Sequence, residues 1–119
     1  FRMNLNELAT ISHYNIPVII IIANNGTFGM VRQWQSMFYG KRYSATTLDR
    51  PPDFVKLAQA FGVRGYRASD EKEFLEAFNK AVSEKRPCLI DCGINIDEMV
   101  FPMVPAGTPI DELLLEAES

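Results

Sequence analysis

The stretch from Val18 to Trp34 constrains the fold more than any other part of the sequence. It begins with an unbroken β-branched run over residues 18–22, passes through two asparagines and two glycines, and ends with apolar residues at helical spacing. Such a β-branched run is typical of a strand buried in a parallel sheet, and the change of period marks the start of a helix. We therefore predict a buried strand, a short polar loop and a helix N-terminus.

The polar loop at residues 24–29 is where we expect chemistry. Open α/β sheets bind ligands at the carboxyl ends of their strands, and a helix N-terminus offers N–H groups and a positive dipole end to an anion such as phosphate. The side-chain oxygens of Asn24 and Asn25 also suit Mg²⁺. An ordinary turn is the alternative, because Asn and Gly both tolerate left-handed geometry. These residues alone leave both interpretations open.

Strand and helix patterns alternate along the rest of the chain. Helical spacing predicts helices over about residues 5–13, over about ten residues from Met30, from Asp53 to a stop at Gly62, and from residues 69–70 to about 84. Further strands are predicted over residues 63–68 and 88–92. This alternation predicts an α/β fold, with a parallel sheet and flanking helices.

Three local features lead to more specific expectations. Asn4 and Glu7 have the spacing of a capping box at the start of the first helix. Residues 39–52 lack any period, and a stretch of this length in a compact domain is usually functional or mobile. The tail, residues 94–119, contains closely spaced prolines that favour an extended path, and residues 111–115 are expected to form a short helix.

Composition excludes several classes of protein. The chain has 119 residues, 47% of them hydrophobic, which suits one domain or a piece of one. The net charge of −3, with basic residues spread throughout, argues against nucleic-acid binding. The longest apolar run, residues 16–23, is too short to cross a bilayer. We therefore expect a soluble, intracellular protein that binds neither nucleic acid nor membrane.

The cysteines and the single histidine do not suggest a reaction. A strand would place the Cα atoms of Cys88 and Cys92 roughly 13 Å apart, too far for a disulfide, so two buried apolar thiols are expected. His13 lies at the predicted end of the first helix, where it would face the carboxyl-end dipole. With no nucleophile beside a base in the polar loop, a hydrolytic triad cannot be assembled.

Longer motifs surround the polar loop and extend to the tail. They are Gly-Met-Val-Arg-Gln-Trp-Gln at residues 29–35, Pro-Asp-Phe-Val-Lys-Leu-Ala at residues 52–58 and Pro-Met-Val-Pro-Ala-Gly at residues 102–107. Together with the paired asparagines, they resemble the catalytic subunit of acetohydroxyacid synthase, also called acetolactate synthase. The resemblance covers essentially all 119 residues.

The resemblance implies that residues 1–119 are the C-terminal part of a thiamine-diphosphate-binding domain, an incomplete doubly wound fold with residues 94–119 as its tail. In this family the cofactor motif begins with Gly-Asp-Gly and ends with the two asparagines. Because 23 residues precede Asn24, a Gly-Asp-Gly-Ser segment is expected directly before Phe1. Its aspartate would be a further metal ligand.

The resemblance also implies roles for residues of the polar loop. Asn25 would bind Mg²⁺ through its side-chain oxygen and Thr27 through its backbone carbonyl. The residues at the start of the following helix would lie against the diphosphate, and these are Phe28, Gly29 and Met30.

Met30 and Trp34 would line the substrate channel on the same helix. They are one turn apart, so both can face one cleft. Packing in the core is the alternative for Trp34, because a large aromatic side chain on an apolar stripe normally packs. Arg32 and Gln33 lie off that stripe and are expected at the solvent or in an interface.

The implied reaction is the decarboxylation of pyruvate and transfer of the two-carbon unit to pyruvate or 2-oxobutyrate, in branched-chain amino-acid biosynthesis. Relatives also use FAD, bound by a domain absent here, and assemble as homodimers or tetramers, with a regulatory small subunit as a further partner. Their location is the bacterial cytoplasm or a eukaryotic organelle. No catalytic residue is assigned within residues 1–119, so the chain alone is expected to be inactive.

Two alternatives remain at this point. Another thiamine-diphosphate enzyme acting on a 2-oxo acid, of the pyruvate oxidase or glyoxylate carboligase type, would share the paired asparagines. A non-catalytic α/β binding module would account for the absent catalytic parts.

Overall fold

The computed structural model describes residues 1–116, so the end of the predicted tail, residues 117–119, lies outside the described residues. The chain forms two compact units. Unit 1 consists of residues 1–24 and 50–94, and unit 2 consists of residues 25–49 and the chain from residue 95 onward.

Unit 1 contains the sheet and most of the helices. After a 3₁₀ turn at Arg2–Asn4, its elements are α1 (Glu7–His13), β1 (Ile19–Asn24), α3 (Phe54–Ala60), β2 (Arg64–Ala68), α4 (Glu71–Glu84) and β3 (Cys88–Gly93). Unit 2 contains α2 (Gly29–Phe38). All the elements predicted up to residue 93 are confirmed, with boundaries within a few residues of those expected.

The three strands form one parallel sheet in the order β1-β3-β2. Their register places Ile22, Asp91 and Arg67 side by side. The predicted α/β fold with a parallel sheet and flanking helices is therefore confirmed.

The core lies on both faces of the sheet. On one face, Leu89 packs with buried residues of α1 and α3, namely Leu8, Phe54 and Ala58. On the other face, Cys88 and Ile90 pack with two alanines of α4, Ala77 and Ala81. Because successive side chains of a strand point to opposite faces, β3 supplies both clusters, and its first four residues are buried.

β1 is less buried than its sequence predicts. Its residues are half-buried or exposed, and the side chain of Ile21 is 49% exposed. In the part of the chain that the structure describes, β1 has β3 as its one strand neighbour, so it lies at the edge of the sheet. The β-branched run indicated the strand correctly, and the lower burial follows from the position of β1 among the described strands.

Two of the predicted helix starts rely on aspartate caps. Asp53 accepts hydrogen bonds from two backbone N–H groups of α3, and Asp70 accepts one from α4. The N–H of Lys56 is the main cause of a lowered pKa for Asp53.

The prediction that Asn4 and Glu7 form a capping box is wrong. Asn4 lies inside the 3₁₀ turn, and α1 begins after Asn6 without a side-chain cap.

Polar side chains meet near the carboxyl ends of the three strands. Asn24 Nδ2 donates to Asp91 Oδ1 at 2.9 Å, and Asp91 is only 5% exposed. Arg67 lies 3.8 Å from the other oxygen of Asp91 and donates to Asp53 at 2.9 Å. This network neutralises a buried carboxylate and fixes the Asn24 side chain at the end of β1.

The two cysteines carry free thiols, in agreement with the prediction that they lie too far apart for a disulfide. Cys88 is buried, whereas Cys92, near the end of β3, is only partly buried, so the expectation of two buried thiols is wrong for Cys92. Burial raises the pKa of both thiols. Among residues 1–116, no helix is long and apolar enough to span a membrane.

The tail does not form the helix expected over residues 111–115. Met103 and Leu114 instead pair as a short antiparallel bridge, with backbone hydrogen bonds of 3.0 and 2.9 Å in the two directions. Extended pairing satisfies the backbone groups that a one-turn helix would leave without partners.

We expect Gly65→Ala to lower the free energy of unfolding by about 1–3 kcal/mol, because β2 and α3 approach closely here. A Cβ at Gly65 would lie 3.0 Å from the Cα, Cγ1 and backbone oxygen of Val55, and backbone atoms cannot rotate away. The loss outweighs the roughly 0.5–1 kcal/mol that alanine normally gains over glycine in a strand. Urea denaturation of the variant and of the wild type measures the difference in the free energy of unfolding. In the control Gly93→Ala, the nearest atom lies at 3.8 Å, so stability should be kept. A Gly65→Ala variant as stable as the control would contradict the expectation.

Candidate functional site

The polar loop is folded on itself at Asn25. Asn25 Oδ1 accepts a hydrogen bond from the N–H of Thr27 at 3.3 Å, and Gly26 between them has φ of +66°. Asparagine turns of this kind place a side-chain oxygen beside the backbone two residues later. The structure therefore places the Asn25 side-chain oxygen beside the backbone N–H of Thr27, the other residue predicted to bind the metal.

A second segment of unit 2 holds this loop in place. Thr27 Oγ1 and the N–H of Phe28 both donate to the carbonyl of Thr46, at 2.7 and 2.9 Å, and Leu48 donates its N–H to Gly26 at 2.9 Å. Thr27 pairs with Thr47 as an antiparallel bridge. Sequence reasoning placed these residues in an irregular stretch and missed the pairing. The adjacent β-branched threonines 46 and 47 were the available signal.

The hydroxyl of Thr46 is buried and has no hydrogen-bond partner among the described residues. Thr46 as a whole is only 3% exposed. A buried polar atom without a partner carries a free-energy cost and is frequently found where a ligand or ion completes the structure. Thr46 is thus a candidate site residue that the sequence did not single out.

The N-terminus of α2 follows the loop directly. It has no acidic residue in its first turn and no side-chain cap. A Cβ at Gly29 would lie 2.6 Å from Asn25 Nδ2, so glycine leaves the space that the Asn25 side chain occupies. The uncapped N–H groups of this helix end favour an anion.

An open cavity of about 520 Å³ lies along α2. It is lined by Met30, Val31, Trp34, Gln35, Tyr39 and Arg42. We call it the α2 groove. Met30 and Trp34 line it together, in agreement with their expected positions one turn apart, and Trp34 packs edge-on against Phe38 at 5.4 Å between ring centroids.

Arg32 and Gln33 do not lie where the sequence predicted. Gln33 is only 3% exposed, and its side-chain amide exchanges hydrogen bonds with the backbone of Val100. Arg32 forms an ion pair with Asp97 at 2.8 Å, and its side chain is 14% exposed. The prediction assumed that α2 has one apolar face against one partner, whereas the tail segment covers a second face.

The other candidate side chains make ordinary contacts. His13 is the last residue of α1, as predicted, and its ring packs edge-on against Tyr14 at 4.6 Å. Among residues 1–116, no group of three or more His, Cys, Asp or Glu side chains could hold a metal ion.

Comparison with known families identifies the class of protein. The family of thiamine pyrophosphate enzymes, defined by their C-terminal TPP binding domain, matches residues 1–92. The chain belongs to this family. Its fold is similar to the Rhodococcus jostii RHA1 thiamine diphosphate-dependent 4-hydroxybenzoylformate decarboxylase, with a TM-score of 0.73 and 34% identity over 82% of this chain and 18% of that one.

Individual relatives narrow the class further. The chain is 47% identical over 118 residues to an acetolactate synthase of Mycobacterium bovis, covering 95% of this chain and 19% of the relative. It is 44% identical over 108 residues to the acetolactate synthase large subunit of Pyropia yezoensis, covering 90% and 18%. A probable large subunit from Methanocaldococcus jannaschii is 48% identical over 107 residues, covering 90% and 18%. The chain thus spans less than one-fifth of the length of these relatives.

The polar loop fits a diphosphate with a divalent cation. The Asn25 side-chain oxygen lies beside the backbone of Thr27, and amide and carbonyl oxygens are hard ligands suited to Mg²⁺. The uncapped end of α2 suits the diphosphate, and the buried hydroxyl of Thr46 lacks a partner. These observations come from the chain itself and are compatible with the cofactor of the family.

Proposed function

We propose that residues 1–119 are part of the catalytic subunit of an acetolactate synthase, in which they bind thiamine diphosphate. The observation that carries this proposal is the 44–48% identity to acetolactate synthases from a red alga, a bacterium and an archaeon. With the bacterial relative, the match spans 118 residues and so extends beyond the cofactor-binding domain into the tail. The groups that complete the active site would belong to the rest of the longer protein.

Thiamine diphosphate supplies the electron sink that allows a 2-oxo acid to lose carbon dioxide. In this proposal Asn25 Oδ1 and the carbonyl oxygen of Thr27 would hold Mg²⁺, whose charge would help to offset that of the diphosphate. The start of α2 is formed by Phe28, Gly29 and Met30. Backbone N–H groups and the helix dipole at this end would offset the negative charge of the diphosphate.

The α2 groove would admit the substrates. Met30 and Trp34 line it with apolar surface, and Arg42 lines the same cavity. Apolar walls with one cation suit small 2-oxo acids, whose carboxylate is charged and whose alkyl group is not. Pyruvate and 2-oxobutyrate are the proposed substrates, and the pathway is branched-chain amino-acid biosynthesis.

The remaining partners are proposed from the same family resemblance. FAD would be bound by another domain of the longer protein, and two or four catalytic subunits would assemble, with a regulatory small subunit as a further partner. The bacterial cytoplasm or a eukaryotic organelle is the proposed location. Without those other parts, residues 1–119 alone are expected to form no acetolactate.

The test is product analysis with the full-length protein that contains these residues. Incubation with pyruvate, thiamine diphosphate, Mg²⁺ and FAD should yield acetolactate, and addition of 2-oxobutyrate should also yield acetohydroxybutyrate. The isolated chain serves as the control and should yield neither. Acetaldehyde or acetate as the main product would refute the acetolactate synthase proposal while keeping the family assignment, since the structural relative named above is a decarboxylase.

A further inference from the structure

Two glutamines of α2 bind backbone groups outside the helix in the same way. Gln33 accepts a hydrogen bond from the N–H of Val100 at 2.8 Å and donates one to its carbonyl at 3.0 Å. Gln35 makes the equivalent pair with Ser44, at 3.4 and 3.3 Å. A side-chain amide has a donor and an acceptor, as a peptide group has. Each glutamine therefore binds the backbone N–H and carbonyl of its partner as a neighbouring β-strand would.

The two contacts differ in strength. The Gln33 hydrogen bonds are shorter, its side chain is buried, and its Nε2 also lies 3.1 Å from Met103 Sδ. The hydrogen bonds of Gln35 are longer and exposed to solvent. Because hydrogen bonds are stronger in a low-dielectric environment, Gln33 holds its partner more firmly than Gln35 does.

Gln33 also lies on a different side of α2 from the groove. Together with Gly29, Arg32 and Ser36, it faces residues 96–99 of the tail. At 3.6 residues per turn, this set as a whole lies opposite the side of α2 that carries Met30, Val31 and Trp34, which line the groove, and Gln33 itself is about 100° from Trp34 around the helix. Attachment on one side of a helix fixes its rotation about its own axis and therefore which side chains it turns outward on the other side.

We propose that Gln33 is a positioning residue. By binding both backbone groups of Val100, it holds residues 95–103 against α2 and keeps Trp34 turned toward the α2 groove. Arg32 supports the same segment through its ion pair with Asp97, but Asp97 is half-exposed, so that pair contributes little. Gln33 has this role whatever reaction the full-length protein catalyses.

The substitution Gln33→Glu makes the contact depend on pH. A protonated glutamic acid can donate to the Val100 carbonyl and accept from its N–H, as glutamine does, whereas a carboxylate has no donor and repels the carbonyl. The ordinary pKa of glutamic acid is about 4.3. Hydrogen exchange read by NMR in the full-length protein reports on the Val100 N–H, and Trp34, the one tryptophan of the chain, reports on the groove through its assigned indole resonance.

At pH about 7.5, the protection of the Val100 N–H in Gln33→Glu should fall at least about tenfold below the wild-type value, and the Trp34 resonance should shift. At pH about 4.5, both should move back toward wild type, when each variant is compared with wild type at the same pH. A purely structural loss would not recover on acidification.

Two controls accompany this experiment. Gln35→Glu should expose the Ser44 N–H and leave Val100 protected, and the Ile90 N–H in β3 reports that unit 1 remains folded in every variant. If Gln33→Glu fails to fold at neutral pH, Gln33→Met replaces it. Methionine has the same length but cannot form either hydrogen bond, so Val100 protection should be lost at both pH values.

Wild-type protection of Val100 at pH about 7.5 in whichever of these Gln33 variants folds would overturn the proposal. A loss in Gln33→Glu that acid does not restore would also overturn it. An unchanged Trp34 resonance beside a lost Val100 contact would refute the link between the tail and the groove.

Discussion

Replacement of Asn25 by alanine is expected to lower the affinity of the full-length protein for thiamine diphosphate in the presence of Mg²⁺ at least about 100-fold. Mutation of a residue that only orients a metal ligand typically lowers the affinity for the metal about 10–100-fold, and Asn25 is proposed as a ligand itself. The substitution also removes the hydrogen bond to the N–H of Thr27, the second proposed ligand. Calorimetric titration of thiamine diphosphate at saturating Mg²⁺ measures the change.

Two further variants separate loss of the ligand from general damage. Asn25→Asp keeps an oxygen at the same place and should retain most of the affinity. Asn79→Ala removes an exposed asparagine from α4 and should bind as the wild type does. If Asn25→Ala binds the cofactor as tightly as Asn79→Ala, the metal site does not include Asn25.

The second large effect is expected for Gly29→Ala, where cofactor binding should fall while stability is kept. Gly29 is the first residue of α2, and alanine has a higher helix propensity than glycine, so the protein should be at least as stable as the wild type. The new Cβ would lie 2.6 Å from Asn25 Nδ2 and would displace that flexible side chain. We expect at least about a tenfold loss of affinity for thiamine diphosphate, which matches the effect of disturbing the orientation of a metal ligand.

Thermal unfolding and cofactor titration on the same preparation test this expectation. Gly93→Ala is a matched control, because a Cβ there meets its nearest atom at 3.8 Å and the backbone does not require glycine. It should leave the affinity unchanged. A Gly29→Ala variant that keeps full affinity would show that the Asn25 side chain need not stay where the structure places it.

Local sequence patterns predicted the elements of unit 1 well, because each helix or strand is marked by residues in it or next to it in the sequence. Asp53 and Asp70 cap the helices that they precede, and Gly62, with φ of +75°, follows the end of α3. The alternation of strands and helices was enough to predict a parallel sheet. By contrast, the order β1-β3-β2 depends on pairing between distant residues, which no local pattern specifies.

The candidate site was predictable only in part. Asn25, Gly29 and Trp34 lie on one continuous stretch, so their neighbourhood followed from a strand, a loop and a helix. Thr46 and Gln33 were missed because their roles depend on segments far away in the sequence. Gln33 was misinterpreted for a further reason, since a buried polar side chain needs hydrogen-bond partners, and those of Gln33 are the backbone groups of Val100, 67 residues away.

Of the three strands that the structure describes, the central one is the last to be synthesised. Ile19 pairs with Cys88 and Arg64 pairs with the same residue, so neither β1 nor β2 can form these contacts before β3 is made. Contacts between residues so distant in sequence slow folding, because the chain must close a long loop before the contacts form. The strand made last therefore sets when this part of the sheet can assemble during translation.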